Sequence, residues 1–305
     1  MRKYKAFWIL AALLLCLPLS VQSQEEPLEI VATSFPSYDF ARALAGDTAH
    51  VTLLLPPGGE SHSYEPTPQD IIRIGEADLF LYTGGESDHW VEEILASLDS
   101  APPTFRLMDC VDALEEALSD SMEHEAHEEP EMDEHVWTSP RNVMLIAQDL
   151  CQTLSAIAPQ NAQTYEAATA DYLEELEALD AAFVEVVAQG QRDIIIFGDR
   201  FPFRYFAEAY GLRYDAAFPG CSEDSEPSVR TVMALVETVR REQVPVIFYI
   251  EFSNRKTADI LAEETGATPM LFHSCHNVSA EDLEAGATYL SLMWKNVDAL
   301  KEALG

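Results

Sequence analysis

Short apolar runs alternate with helical segments twice along this chain, and few folds satisfy that pattern. In the first half residues 30–32, 51–55, 79–82 and 105–108 read as strands, with helices over 38–44, 67–74 and 90–98 between them. In the second half strands over 194–197, 214–218, 246–250 and 270–272 alternate with helices over 203–210, 229–240 and 256–265, and a closing helix covers 282–304. Strands this short that are mostly apolar throughout, each followed by a helix, are parallel strands joined by crossovers. The expected fold is therefore α/β: two similar parallel-sheet domains.

One long helix is expected to join them. Tyr165, Tyr172, Leu176, Leu179, Phe183 and Val187 recur at helical spacing between Pro159 and Gly190, which suit a helix start and end. At about 1.5 Å per residue it would run roughly 40 Å, enough to reach from one domain to the other as a stiff link. The expected divisions are 1–23 as a signal peptide, 24–158 as the first α/β domain, 159–190 as the linking helix and 191–305 as the second α/β domain. The leader reading rests on Arg2, Lys3 and Lys5 ahead of an apolar stretch at 6–19, followed by Val21-Gln22-Ser23, a small-x-small cleavage pattern. It places the protein outside the cytoplasm, in a periplasm or at the outer face of the cell membrane. Cys16 raises lipid anchoring as an alternative, against which stands Leu15, where such sites want a small residue.

A formal charge of -35 excludes nucleic acid as a partner, because phosphate binding needs a basic footprint. The same field attracts cations, although it equally keeps an exported protein in solution. With 48% hydrophobic residues the chain can fill two cores. Of the five cysteines, Cys16 lies in the leader. The remaining four allow three pairings, among which Cys221 with Cys275 is favoured because both follow strand-like runs in the second half, leaving Cys110 and Cys151 as buried thiols.

Two histidines stand where metal ligands stand. His62 lies in Gly-Gly-Glu-Ser-His-Ser-Tyr-Glu-Pro-Thr-Pro, a loop bounded by glycine and proline just after a strand; His135 lies in Asp-Glu-His-Val-Trp-Thr-Ser-Pro, at the approach to a helix. Each has acids beside it that can tether the second ring nitrogen: Glu60 and Glu65, Asp133 and Glu134. Residues 119–134 are rich in Glu, lack periodicity and carry His124 and His127, which suits a mobile acidic loop and weak capture of cations.

The segments Val-Ala-Thr-Ser-Phe-Pro, Leu-Leu-Pro-Pro-Gly-Gly-Glu-Ser-His-Ser-Tyr-Glu-Pro-Thr-Pro, Ala-Asp-Leu-Phe-Leu-Tyr-Thr-Gly and Asp-Glu-His-Val-Trp, with the Glu/His-rich insertion, resemble the zinc/manganese-binding proteins of ABC importers. The resemblance covers nearly the whole chain after the leader. It implies a rigid interdomain helix, a metal site in the cleft between the domains, His62 and His135 as ligands, and an ABC permease and its ATPase as partners; Zn2+ is expected before Mn2+ because imidazole-rich sites favour it, and the protein is expected to be a monomer. At the position where the family supplies a third ligand this chain has Arg200, whose guanidinium cannot bind zinc. His273, at the end of a strand, is the first choice to replace it, since ligands gather beyond the carboxyl ends of parallel strands. Glu251, Asp199 and His276 are candidates for a fourth position, and Arg200 and Arg204 are expected to pair with acids such as Glu251 or Asp199.

Two other classes stay open: a secreted zinc-dependent hydrolase, because three ligands and an open position also make a catalytic zinc, and a metal-binding adhesin or buffer. No His-Glu-x-x-His helix is present, and His124-Glu125-Ala126-His127 has the wrong spacing for one.

Overall fold

A computed structural model describes residues 26–61, 63–116, 119, 121–122, 132–220 and 226–305. The expected signal peptide, Cys16, His62, His124, His127 and Cys221 lie outside the described residues. The first half runs β1 (Leu28–Ala32), α1 (Phe35–Ala45), β2 (Ala49–Leu53), α2 (Pro68–Glu76), β3 (Leu79–Tyr82), α3 (Trp90–Ser97) and β4 (Thr104–Arg106). Two helices follow without a strand between them, the 18-residue α4 (Pro140–Ile157) and the 28-residue α5 (Ala162–Gln189). The second half runs β5 (Ile194–Phe201), α6 (Arg204–Tyr210), β6 (Arg213–Pro219), α7 (Val229–Glu242), β7 (Val246–Tyr249), α8 (Lys256–Thr265), β8 (Thr268–Leu271), α9 (Ala280–Glu284) and α10 (Tyr289–Leu304).

Both sheets are parallel and share one order, β2-β1-β3-β4 and β6-β5-β7-β8. Side chains alternate across each: on β1, Ile30 and Ala32 enter the large central core while Val31 faces a smaller outer one with Phe80 and Trp90. On β5, Ile195 and Phe197 enter the central core while Ile194 and Ile196 pack outward with Leu235 and Leu261. The inner faces of both sheets therefore meet one continuous core, where two separate cores were expected. Leu176, Leu179 and Phe183 of α5 sit in it, and α5 packs against α4 and α1 of the first half and α10 of the second. The closing helix is two helices: Gly286 takes φ +80, and Thr288 starts α10 with a capping box to Ser291. Among the described residues no helix is long and apolar enough to cross a membrane.

Candidate metal centre

The carboxyl ends of both sheets open onto one small cavity of about 80 Å³ between the halves. Gly59, Glu60 and Ser61 line it from the loop after β2, His135 from the stretch before α4, Asp199 and Arg200 from β5, Glu251 from the end of β7, and Ser274, His276 and Asn277 from the loop after β8. This is where ligands collect in open parallel sheets, at the point where strand order reverses.

His135 is 1% exposed and held twice by one carboxylate. Asp133 Oδ1 accepts the His135 backbone N–H at 2.8 Å and lies 3.1 Å from the ring Nδ1. Nδ1–H donating to the carboxylate fixes the tautomer and makes Nε2 the nitrogen able to ligate. Burial works against protonation of this ring, but the charges of Asp133, Glu134 and Glu116 outweigh it and raise its pKa above the usual value. Glu134, fully buried, turns the other way and accepts from the Ser87 N–H at 2.9 Å and Ser87 Oγ at 2.7 Å, so it braces the approach to His135 from behind.

Across the cavity, Glu251 organises the loop after β8. Its carboxylate accepts the Ser274 N–H at 2.8 Å, Ser274 Oγ at 2.6 Å and the His276 N–H at 3.1 Å. Cys275 takes φ +60, a left-handed turn that sends His273 and His276 to different sides of the loop. The His276 ring meets His135 edge to face with centroids 5.5 Å apart and lies 5.1 Å from the Trp137 ring. Two imidazoles on one tetrahedral zinc, with bonds of about 2.0–2.1 Å, would have centroids about 5 Å apart.

Several expectations need correcting here. His273 does not line this cavity; it faces a second one of about 650 Å³, with Lys295 and Asn296 of α10. Its Nδ1 accepts the Cys275 N–H at 2.9 Å, so the ring proton sits on Nε2, the far nitrogen. The strand ends at Leu271, and His273 belongs to the turn beyond it. The expected partners of the arginines differ too. Asp199 and Glu251 are taken up by backbone N–H groups, so Arg200 reaches across the cleft to Glu60 at 3.4 Å and Arg204 pairs with Glu208 along α6. Among the described residues Cys110, Cys151 and Cys275 carry free thiols, Cys275 fully buried in the central core and Cys110 only half-buried, while Cys221, the partner expected for Cys275, lies outside the described residues.

Among the described residues no three His, Cys, Asp or Glu side chains converge as a complete metal group. The structure brings together His135 and His276, with Glu60 and Ser61 leading directly to position 62. Trp137 and Asn277 were not foreseen. Nothing in composition or spacing singles out Asn277; Trp137 stood within the quoted Asp-Glu-His-Val-Trp segment, and its Nε1–H donates to the Ser274 carbonyl at 2.8 Å, tying the two walls together.

The family described as ZnuA, zinc-uptake complex component A, periplasmic, matches residues 30–303, and the chain belongs to it. The zinc-binding lipoprotein AdcA of Streptococcus pneumoniae serotype 4 is 33% identical over 297 residues, covering 96% of this chain and 59% of that protein. The high-affinity zinc uptake system protein ZnuA of Bacillus subtilis is 30% identical over 289 residues, covering 93% of this chain and 90% of that one. The chain thus spans about three fifths of the length of the pneumococcal relatives it matches. The crystal structure of the Zn(II)-bound ZnuA-like domain of Streptococcus pneumoniae AdcA superposes with a TM-score of 0.76 at 33% identity, over 91% of this chain and 99% of that one.

Proposed function

We propose that this chain is an extracytoplasmic binding protein that captures a divalent transition metal, zinc before manganese, in the cleft between its halves and delivers it to the permease of an ABC importer. The observation that carries the reading is the meeting of His135 and His276, one from each half, at a ring separation that suits a shared tetrahedral ion. His62, on the loop that lines the same cavity up to Ser61, supplies the third imidazole, and an imidazole-rich set favours zinc over manganese. Asp199 and Glu251 act as scaffold, since their oxygens already accept backbone N–H groups. The names of the relatives, zinc-binding and zinc-uptake proteins, support transport over the hydrolase and adhesin readings. His124 and His127 remain candidates for weaker capture outside the cleft.

The test is a zinc titration against a competing chelator. His62→Ala, His135→Ala and His276→Ala should each weaken zinc binding by about a hundredfold or more, beyond the 10–100-fold typical of losing an outer-shell partner. Parent-like affinity in the His135 and His276 variants would end the proposal.

A further inference from the structure

We propose that Asn277 is a positioning residue for the cleft, whose side-chain amide sets the spacing between the loop leading to His62 and the loop bearing His276. The inference rests on the reading of those two histidines as ligands from opposite halves.

Residues 56–59 form a tight turn: Pro57 and Gly58 are its central residues, Gly58 has φ +77, and the Gly59 N–H donates to the Pro56 carbonyl at 2.8 Å. Two carbonyls of this turn point at the other half. Asn277, 3% exposed, donates its two Nδ2 hydrogens to Pro56 O at 2.8 Å and Gly59 O at 2.9 Å, while its Oδ1 accepts the Val278 N–H at 2.8 Å. Both amide hydrogens and the amide oxygen are engaged, and a flipped amide would set oxygen against both carbonyls. The Gly58 N–H closes the clamp by donating to the Val278 carbonyl at 2.8 Å. The turn ends three residues before position 62, and Asn277 directly follows His276. One buried side chain thus fixes the two ligand-bearing loops as a unit, at the edge of the cavity both line.

Because changes within one binding site fall mostly on dissociation, loss of the amide should appear there rather than in association. Asn277→Ala takes the donor from the Gly59 carbonyl and one of two donors from the Pro56 carbonyl, and Asn277→Asp sets a carboxylate against both; either should release zinc about tenfold faster or more, as losing these partners implies. Release is read by stopped-flow transfer of zinc from the full chain to a chelator, with the association rate staying within about threefold of the parent's. Urea unfolding of the zinc-free variants runs in parallel, since a merely structural role would lower the midpoint and leave the dissociation rate alone. If the parent holds zinc and both variants release it within about twofold of the parent's rate, the positioning role is wrong while the metal site stands; a parent that holds no zinc removes the site itself. Should neither variant fold, hydrogen exchange on the parent decides. Segments 56–61 and 273–278 should exchange together and slow together when zinc is added, and independent exchange of the two would overturn the clamp.

Discussion

In the amino-terminal half a carboxylate grips the imidazole itself, whereas in the carboxy-terminal half a carboxylate grips the backbone beside it. Asp133 holds the ring of His135 through Nδ1, and Glu251 holds the N–H groups of Ser274 and His276. The sheets behind them have the same strand order, so the difference lies in the loops. A ring tethered by a charged acceptor has its tautomer, direction and basicity set before the ion arrives. A loop tethered by its backbone has its path set, and the His276 ring at its end packs against Trp137 and His135. The first wall tunes electronics and the second tunes placement.

The sharpest way to break that contrast is Asp133→Asn. The amide keeps an acceptor for the His135 N–H but loses the charge, and zinc affinity at pH 8 should fall by about 10–100-fold. The pH dependence should move the opposite way. His135 has a raised pKa because Asp133, with Glu134 and Glu116, outweighs the effect of burial, so protons compete with the ion on acidification. Without the Asp133 charge that competition sets in at lower pH. Titrations from pH 8 to pH 5 should show a weaker site whose loss on acidification is shifted downward, and an unshifted profile would deny Asp133 its tuning role.

Glu251→Gln comes next. One end of the new amide is a donor facing the N–H groups that the carboxylate served, so the loop carrying His276 loses part of its frame. Zinc affinity should drop about tenfold, consistent with one or two lost charge-assisted bonds, with little change in the pH profile. A loss equal to that of Asp133→Asn, accompanied by a shifted pH profile, would erase the distinction between the two walls.

The sheets and crossovers were legible because period-two and helical patterns are local, and α8 was read with the ends it has. The sequence also marked His135 through its flanking acids, since tethering carboxylates lie within two residues. What stayed hidden depends on turns. His273 and His276 are three residues apart and equally plausible on paper, and only the left-handed conformation of Cys275 decides which faces the cleft. Arg200 finds Glu60, 140 residues away, and Asn277 finds Pro56, 221 residues away; no local pattern encodes either pairing. The single shared core was hidden for the same reason, because it arises from how α5 and α10 dock rather than from either helix's own stripe.

His273→Ala sharpens the contrast from the other side. With its ring turned toward α10 and its proton on the far nitrogen, removal should leave zinc affinity within about threefold while lowering stability by about 1–2 kcal/mol, because the Cys275 N–H loses a buried acceptor. Chelator competition and urea unfolding on one preparation measure both. A hundredfold loss of zinc affinity would return His273 to the ligand set.

The smallest effect on zinc, and a distinct one on stability, belongs to the bond joining the halves away from the cleft. Asp39 on α1 accepts the Tyr289 N–H at the start of α10 at 2.8 Å and is 4% exposed. Burial pushes its pKa up to about 6 from the usual 3.8, against the pull of the Tyr289 N–H and the Arg42 charge. The folded state therefore holds this proton more tightly than the unfolded chain does. Its stabilising contribution is complete below about pH 4 and is lost as pH rises through about 6, amounting to as much as about 3 kcal/mol at pH 8. Asp39→Asn keeps an oxygen for the Tyr289 N–H and removes the charge. It also forfeits the favourable placement of an anion at the α10 amino terminus, worth about 0.3–1 kcal/mol. Desolvation is the larger quantity, so zinc-free Asp39→Asn should be more stable than the parent at pH 8 by about 1–2 kcal/mol and no more stable at pH 4. Urea unfolding of parent and variant at pH 4, 6 and 8 gives the difference directly, and because it is a difference, the similar slope from buried Asp88, also raised to about 6, cancels. A variant less stable than the parent at every pH would mean that the carboxylate stays charged in the folded protein and that its bond to α10 outweighs the cost of burying it.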